Sequence, residues 1–306
     1  MHASFSYLSR SGGGSVSSHA AYISASVVKD ERMGQSWDYS KKAPEILETS
    51  ILAPEGAPEW VYDPDKLWKR VEEFEDYVAH TRFKGHRDPI KNDKSLKARE
   101  NFLSSCKTGY KLTFALPLEI KNKDHLKELA HKIVQECYVA HGLIAQYAIH
   151  DMKGNPHLHI LSTTRPFIEG EFAKRYVLEK PQLKEKRAQL AEICNQYGLD
   201  KGYDYHIDAR SYKDQSLKII PTKHIGPNAH HRLQARSQNA QANEEIRQKN
   251  IEILLSHPEE IIKVVASQKA VFTQVDLAKE IFKRVAGDEK LYAVLKAKVD
   301  GIDLPK

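Results

Sequence analysis

The stretch LIAQYAIHDMKGNPHLHILSTTRP, residues 143–166, decides how the chain is read. LIAQYAIHD is rich in strand formers, MKGNP is a turn, and HLHILSTTRP is a second strand-like run, so the segment predicts a β-hairpin. Side chains alternate faces along a strand, so His157 and His159 point the same way while Leu158 enters the opposite layer. The turn brings His150 alongside them. Three neutral imidazoles converging on one point suit a divalent transition metal with open positions left for substrate oxygens. No carboxylate joins the set, so the ion keeps its full charge, which favours polarising a phosphodiester over a structural role. The spacing alone equally fits two hydrogen-bonded histidines on a sheet face. In a chain with 15 histidines, chance pairs such as His230–His231 are expected.

Composition narrows the field. The 306 residues are 41% hydrophobic and 29% charged, with a formal net charge of +6. A mild basic excess is compatible with a nucleic-acid partner, and its placement says more than its size. From Thr81 to Lys111, lysines and arginines outnumber the acids Asp88, Asp93 and Glu100. This reads as a solvated loop or as a phosphate-contacting surface. Cys106, Cys137 and Cys194 have no CxxC spacing, which argues against a disulfide framework or a zinc knuckle and for a reducing cytoplasm. No apolar run is long enough for a membrane span, and MHASFSYLSRSGGGS has no secretory h-region.

Working outward from the hairpin, Leu126, Leu129, Ile133, Val134 and Cys137 fall at helical spacing, with Gly142 as the stop. YKLTFALPLEI, Tyr110 to Ile120, reads as a strand that Pro117 pushes towards an edge or a bulge. Leu67, Val71, Phe74 and Val78 stripe a helix that starts at Asp63 or Asp65. ASFSYLSRS reads as a strand broken by GGGS, and SVSSHAAYISASVVKDE as a helix capped by Ser15 or Ser17. QLKEKRAQLAEICNQYGL reads as a helix ending at Gly198. This order predicts an α+β fold, an antiparallel or mixed sheet with helices packed on it. After Gln234 the chain turns polar and helical, with a capping pair at Thr273 and Asp276. The boundary is placed at residue 240, giving 1–240 and a small helical region 241–306.

A metal on a phosphodiester needs a nucleophile, either water or a side-chain hydroxyl. Tyr22 is one of 14 tyrosines, but it lies on the helix after the glycine break among small neighbours, Ala20, Ala21, Ser24 and Ala25, that leave room for a backbone to approach.

Six motifs then stand in order: HAAYISASVVKDERMGQSWDYSKK, ILAPEGAPEWVYDPDKLWKRVEEFE, FALPLEI, YAIHD with NPHLHILSTTR, DARSYKDQ with PTKHIGPNA, and FTQVDLAKEIF. Together they resemble the MobA/MobL conjugative relaxases, also called MobQ, and within them the relaxase portion of TraA-type relaxase–helicases. The resemblance implies an HUH-endonuclease-like domain, a central antiparallel sheet of about five strands flanked by helices. It implies Tyr22 as nucleophile and His150, His157 and His159 as ligands of Mn²⁺ or Mg²⁺, other transition metals also fitting such a site. It further implies nicking of single-stranded DNA at an origin of transfer, a 5′-phosphotyrosine, and work alongside a coupling protein and type IV secretion machinery. A monomer in the bacterial cytoplasm, travelling with the DNA to a recipient, completes the expectation. No GxxxxGK[ST] loop occurs, so ATP-driven helicase activity is not expected of this chain.

Three departures stand out. Lys111 and Thr113 occupy positions where relatives carry a glutamate, Ala209 stands where a histidine is expected, and the basic segment 81–107 exceeds the usual connection. Asp30, Glu31 and His224 are the candidate bases for Tyr22. Arg10, Lys29, Lys111, Arg210 and His224 are candidate DNA contacts, while Trp37 and Tyr39 either stack on bases or pack in the core. Asp151 is expected to open the turn rather than orient a ligand histidine. Three rivals remain: a rolling-circle replication initiator, in which the tyrosine usually follows the histidines; a water-activating metallo-phosphoesterase; and a DNA-binding remnant without catalysis.

Overall fold

The computed structural model describes residues 3–10, 15–83, 101, 103–152, 154–176, 180–223, 233–269 and 272–302. The chain forms two compact units, Met1–Tyr197 and Gly198–Lys306.

The first unit is built on a five-stranded sheet in the order β1-β5-β7-β6-β4, with every pairing antiparallel. Its strands are β1 (Ala3–Ser9), β4 (Ile46–Leu52), β5 (Lys107–Ala115), β6 (Ala145–Met152) and β7 (Asn155–Ser162). The hairpin read from the sequence is β6–β7. Gly154 takes φ +73°, the left-handed backbone that a tight hairpin turn needs and glycine holds without a Cβ clash. The register sets His150 opposite His157 and Ala148 opposite His159. Asp151, expected in the turn, is instead in the strand opposite Pro156.

Helices cover both faces. On the face that carries the histidines lie α1 (Val16–Ser24) and α2 (Pro64–Phe83). Val16, Ala20 and Ile23 of α1, and Leu67, Trp68 and Val71 of α2, pack with Leu161 and Ile51 of the sheet. The other face carries Phe114, Tyr147, Ile149, Leu158 and Ile160 and is closed by α3 (Lys123–Cys137), whose Leu126, Leu129, Ile133 and Val134 are buried. Each such side chain contributes about 1.5–3 kcal/mol on leaving water. The helix α4 (Lys180–Lys201) lies beside α3, with Gln189 Nε2 donating to the Glu136 carbonyl at 3.3 Å.

Several local features differ from the sequence reading. The α1 helix stops at Ser24, because Ala25 turns left-handed at φ 48°, and β2 (Val27–Asp30) and β3 (Gln35–Asp38) follow as a small hairpin. The strand β5 is interior rather than edge, and it ends two residues before Pro117, which lacks the N–H a ladder needs. The α4 helix runs through Gly198 and ends before Gly202, φ +73°. Gly198 serves packing: a Cβ there would sit 2.8 Å from Cζ of Tyr205.

The second unit holds α5 (Leu233–Ser256), α6 (Glu259–Ala266), α7 (Gln274–Val285) and α8 (Glu289–Asp300). The Thr273–Asp276 capping box forms as expected. By packing, the chain divides upstream of residue 240, because Leu217 and Ile219 are buried with Leu254, Ile261, Leu277 and Leu295. Amides on α5 reinforce this. Asn250 accepts from the Ile220 N–H at 2.7 Å and donates to its carbonyl at 2.8 Å, and Asn243 does the same for Lys223.

Candidate active site

The three histidines meet on one face, at the turn end of the central hairpin. Ring centroids are 4.3 Å apart for His150–His159, 4.8 Å for His157–His159 and 5.6 Å for His150–His157. One potential ligand atom from each lies within 4.8 Å of the others, the one such His, Cys, Asp or Glu cluster among the described residues.

Each imidazole is also held from behind. His150 Nε2 donates to the Ile23 carbonyl at 2.7 Å, and His157 Nδ1 donates to the Asn155 carbonyl at 2.9 Å. Thr113 Oγ1 lies 3.3 Å from His159 Nδ1. Such bonds fix the tautomer and leave the opposite nitrogen with a lone pair. Nε2 of His159 is buried and has no hydrogen-bond partner among the described residues. Burial, then the neighbouring positive groups, holds His159 well below the ordinary histidine range; burial likewise lowers His150. A buried, uncharged nitrogen with no protein partner is what a metal ligand requires before the ion binds. The residues therefore fit a divalent ion held by His150, His157 and His159.

Tyr22 faces this cluster. Ser15 caps α1 by accepting from the Ser18 N–H at 3.2 Å, and the buried Ala20 and Ala21 let the helix lie close on the sheet. Near the other end, the Tyr22 ring centroid is 6.0 Å from that of His150 and 6.1 Å from that of His159. Three further residues surround it that the sequence did not single out for this role. His19 stacks at 6.1 Å, Tyr39 meets the ring edge-on at 5.5 Å, and Lys42 Nζ lies 4.7 Å from the centroid. His19 is taken down to about 4 by burial and then by the charge of Lys111. Its helical spacing of three from Tyr22 was the available signal.

The remaining predicted residues fare differently. Arg10, expected to meet DNA, has a buried side chain, with Nε donating to Glu72 at 2.8 Å and Nη1 to Asp76 at 2.6 Å. Asp30 is not placed as a base, because it is buried and accepts from the Ser15 hydroxyl, from Trp37 Nε1 at 3.1 Å and from the Met33 N–H. That same bond makes Trp37 a packing residue. Glu31 is paired with Lys69. Lys29 is exposed on β2, and Lys111 shares a sheet face with Thr113, opposite Ser6 and Leu161. Arg210, in the second unit, is exposed and forked onto Asp208. His224 and residues 84–100 of the basic segment lie outside the described residues.

A family model described as the MobA/MobL family matches residues 14–81 and 98–236. The chain belongs to the MobA/MobL family. The match spans Tyr22, Lys42, Thr113 and the three histidines, and its interruption falls within the basic stretch that exceeds the usual connection. Among MobA/MobL-like relatives, the conjugal transfer protein TraA of Rhizobium radiobacter is 26% identical over 339 residues, covering 97% of this chain and 28% of that protein. The probable mobilization protein MobA of Bifidobacterium longum is 28% identical over 298 residues, 81% of this chain and 47% of that protein. The chain thus spans little more than a quarter of the TraA it matches. A solved structure from work on the molecular basis of vancomycin resistance transfer in Staphylococcus aureus aligns with a TM-score of 0.56 at 24% identity, covering 69% of this chain and 98% of that one. That likeness is one of fold alone.

Proposed function

We propose that the chain is a DNA relaxase in which Tyr22 attacks a phosphodiester of single-stranded DNA at an origin of transfer. The observation that carries this reading is the Tyr22 ring packed against two of the three metal-competent histidines. A divalent ion in the site, Mn²⁺ or Mg²⁺, would supply charge to a non-bridging phosphate oxygen. The protein's own part is positioning. His150, His157 and His159 fix where the phosphate sits, and α1 aims the phenolic oxygen at it.

In the reaction the Tyr22 Oη–P bond forms and the P–O3′ bond breaks. The phenolic proton is lost and the released 3′ oxygen takes one up. The products are a 5′-phosphotyrosine and a free 3′-OH. One phosphate ester replaces another, so the bond energy is kept and the strand can be resealed, which hydrolysis would forbid. Asp30 and Glu31 are committed elsewhere and do not serve as the base. Relatives named for conjugal transfer and mobilization support an origin of transfer as the substrate, and a coupling protein and secretion apparatus as partners. Among the described residues no helix is long and apolar enough to cross a membrane.

The deciding experiment incubates the protein with labelled single-stranded origin DNA and Mn²⁺ on a denaturing gel. A covalent protein–DNA band that Tyr22→Phe abolishes is the expected result. A cleaved strand with no adduct in the wild type would sink the tyrosine mechanism in favour of water.

A further inference from the structure

Lys42 sits in the short 3-10 turn Ser40–Glu45, which packs against β4 and β6. Its N–H donates to the Tyr39 carbonyl at 2.9 Å, so the turn is fixed beside Tyr22 at the backbone level. The side chain then extends over the Tyr22 ring, with Nζ 4.7 Å from the centroid.

Among the described residues the ammonium has no acid. Several other cations of this unit have one: Arg10 has Glu72 and Asp76, Arg165 and Arg175 share Glu75, and Lys69 has Glu31. Among the described residues no ion pair is formed by Lys42, Glu45 of the same turn included. A ring face is a weak partner for an ammonium beside a phosphate oxygen. The charge of Lys42 reaches His150 and His159, where it adds a minor part to the lowering that burial causes. A cation without a counter-ion at the nucleophile, in a cluster of aromatic and imidazole rings, marks a place for an anion.

We infer that Lys42 binds a backbone phosphate of the DNA strand at the active site, resting on the Tyr22 ring until that phosphate arrives. The long side chain allows this exchange, since Nζ can leave the ring without moving the turn. The inference rests on the reading of Tyr22 as nucleophile only in naming the anion as DNA. Lys111, across the sheet face beside His19, is a second cation on the same side.

The test separates binding from chemistry by working in a Tyr22→Phe background. Binding of an oligo(dT) strand is measured against salt concentration for Lys42, Lys42→Met and Lys42→Arg. Loss of one single-strand phosphate contact lowers the steepness of log K against log salt by about 0.7. Lys42→Met should show that drop and Lys42→Arg should not. Methylphosphonates placed singly along the nicked origin strand then locate the contact. At one position the neutral linkage should weaken binding with Lys42 present and make no difference in Lys42→Met. An unchanged slope in Lys42→Met overturns the proposal, and a slower adduct rate in Lys42→Met with Tyr22 intact would then make Lys42 a support for the Tyr22 ring. An adduct that survives Tyr22→Phe would overturn the nucleophile reading instead, leaving the salt result to stand by itself.

Discussion

His150 donates through Nε2 to the carbonyl of Ile23, 2.7 Å away, and so ties the metal-competent cluster to the residue that follows Tyr22. The bond has two consequences, one for the metal and one for the helix. His150→Ala should weaken metal binding and also lower metal-free stability by about 1 kcal/mol, the net value of a typical hydrogen bond, with some further loss from the buried volume. His157, half-buried and bonded only to Asn155 nearby, should cost little in the metal-free protein. Urea unfolding of both variants in chelator checks this. Equal losses would contradict a tie specific to α1.

Thr113 Oγ1 lies within reach of His159 Nδ1, at 3.3 Å. Thr113→Val keeps the shape and removes the hydroxyl. Metal affinity, followed by calorimetry, should fall about 10–100-fold, the usual effect of losing a group that orients a ligand, while Thr113→Ser should hold it.

Arg10 is expected to matter for stability and not for DNA. Arg10→Met leaves Glu72 without its partner inside the fold, and breaking a buried pair costs about 3–5 kcal/mol. The salt dependence of single-strand binding, in whatever fraction remains folded, should be unchanged. A shallower salt slope would return Arg10 to the DNA surface.

Glu75 gives a pH signature. Burial pushes its carboxyl up, but the hydrogen bond from Arg165 and the charges of Arg175 and Arg165 outweigh burial and leave it below the ordinary value of 4.5. A carboxylate with a depressed folded pKa stabilises the fold above its unfolded pKa, and that contribution is lost as pH falls through the folded value. The stability gap between wild type and Glu75→Gln should therefore be constant near neutrality and narrow below about pH 4.5. Chemical denaturation across that range measures it. A gap that widens on acidification would contradict the assignment.

Legibility in the sequence followed the range of the forces involved. The β6–β7 hairpin was readable because its turn and its alternation are local, and α3 because Leu126, Leu129 and Ile133 repeat within one helix. The strand β4 was not: Glu48, Thr49 and Ser50 interrupt its apolar ends, and only pairing with β6 makes it a strand. The end of α1 was hidden because an alanine, not a glycine, takes the left-handed turn at residue 25. At the candidate site the three histidines were visible as a pattern, whereas Lys42 was one basic residue among many until the fold set it over Tyr22. The pairing of Arg10 was hidden for the same reason, since Glu72 lies 62 residues away in the chain.

The helix carrying Tyr22 is pinned at both ends, at its start through Ser15 and the buried Asp30, and past Tyr22 through Ile23 and His150. If, as proposed, a DNA strand becomes joined to Tyr22 and is then pulled, the protein would be a towing hitch as well as a catalyst. Tension on the strand would then pass from the phenolic oxygen through α1 into the inner strand β6, whose ladder bonds to β7 and β4 resist together. A tyrosine on a loop would swing under such a load; one on a doubly anchored helix would stay in place.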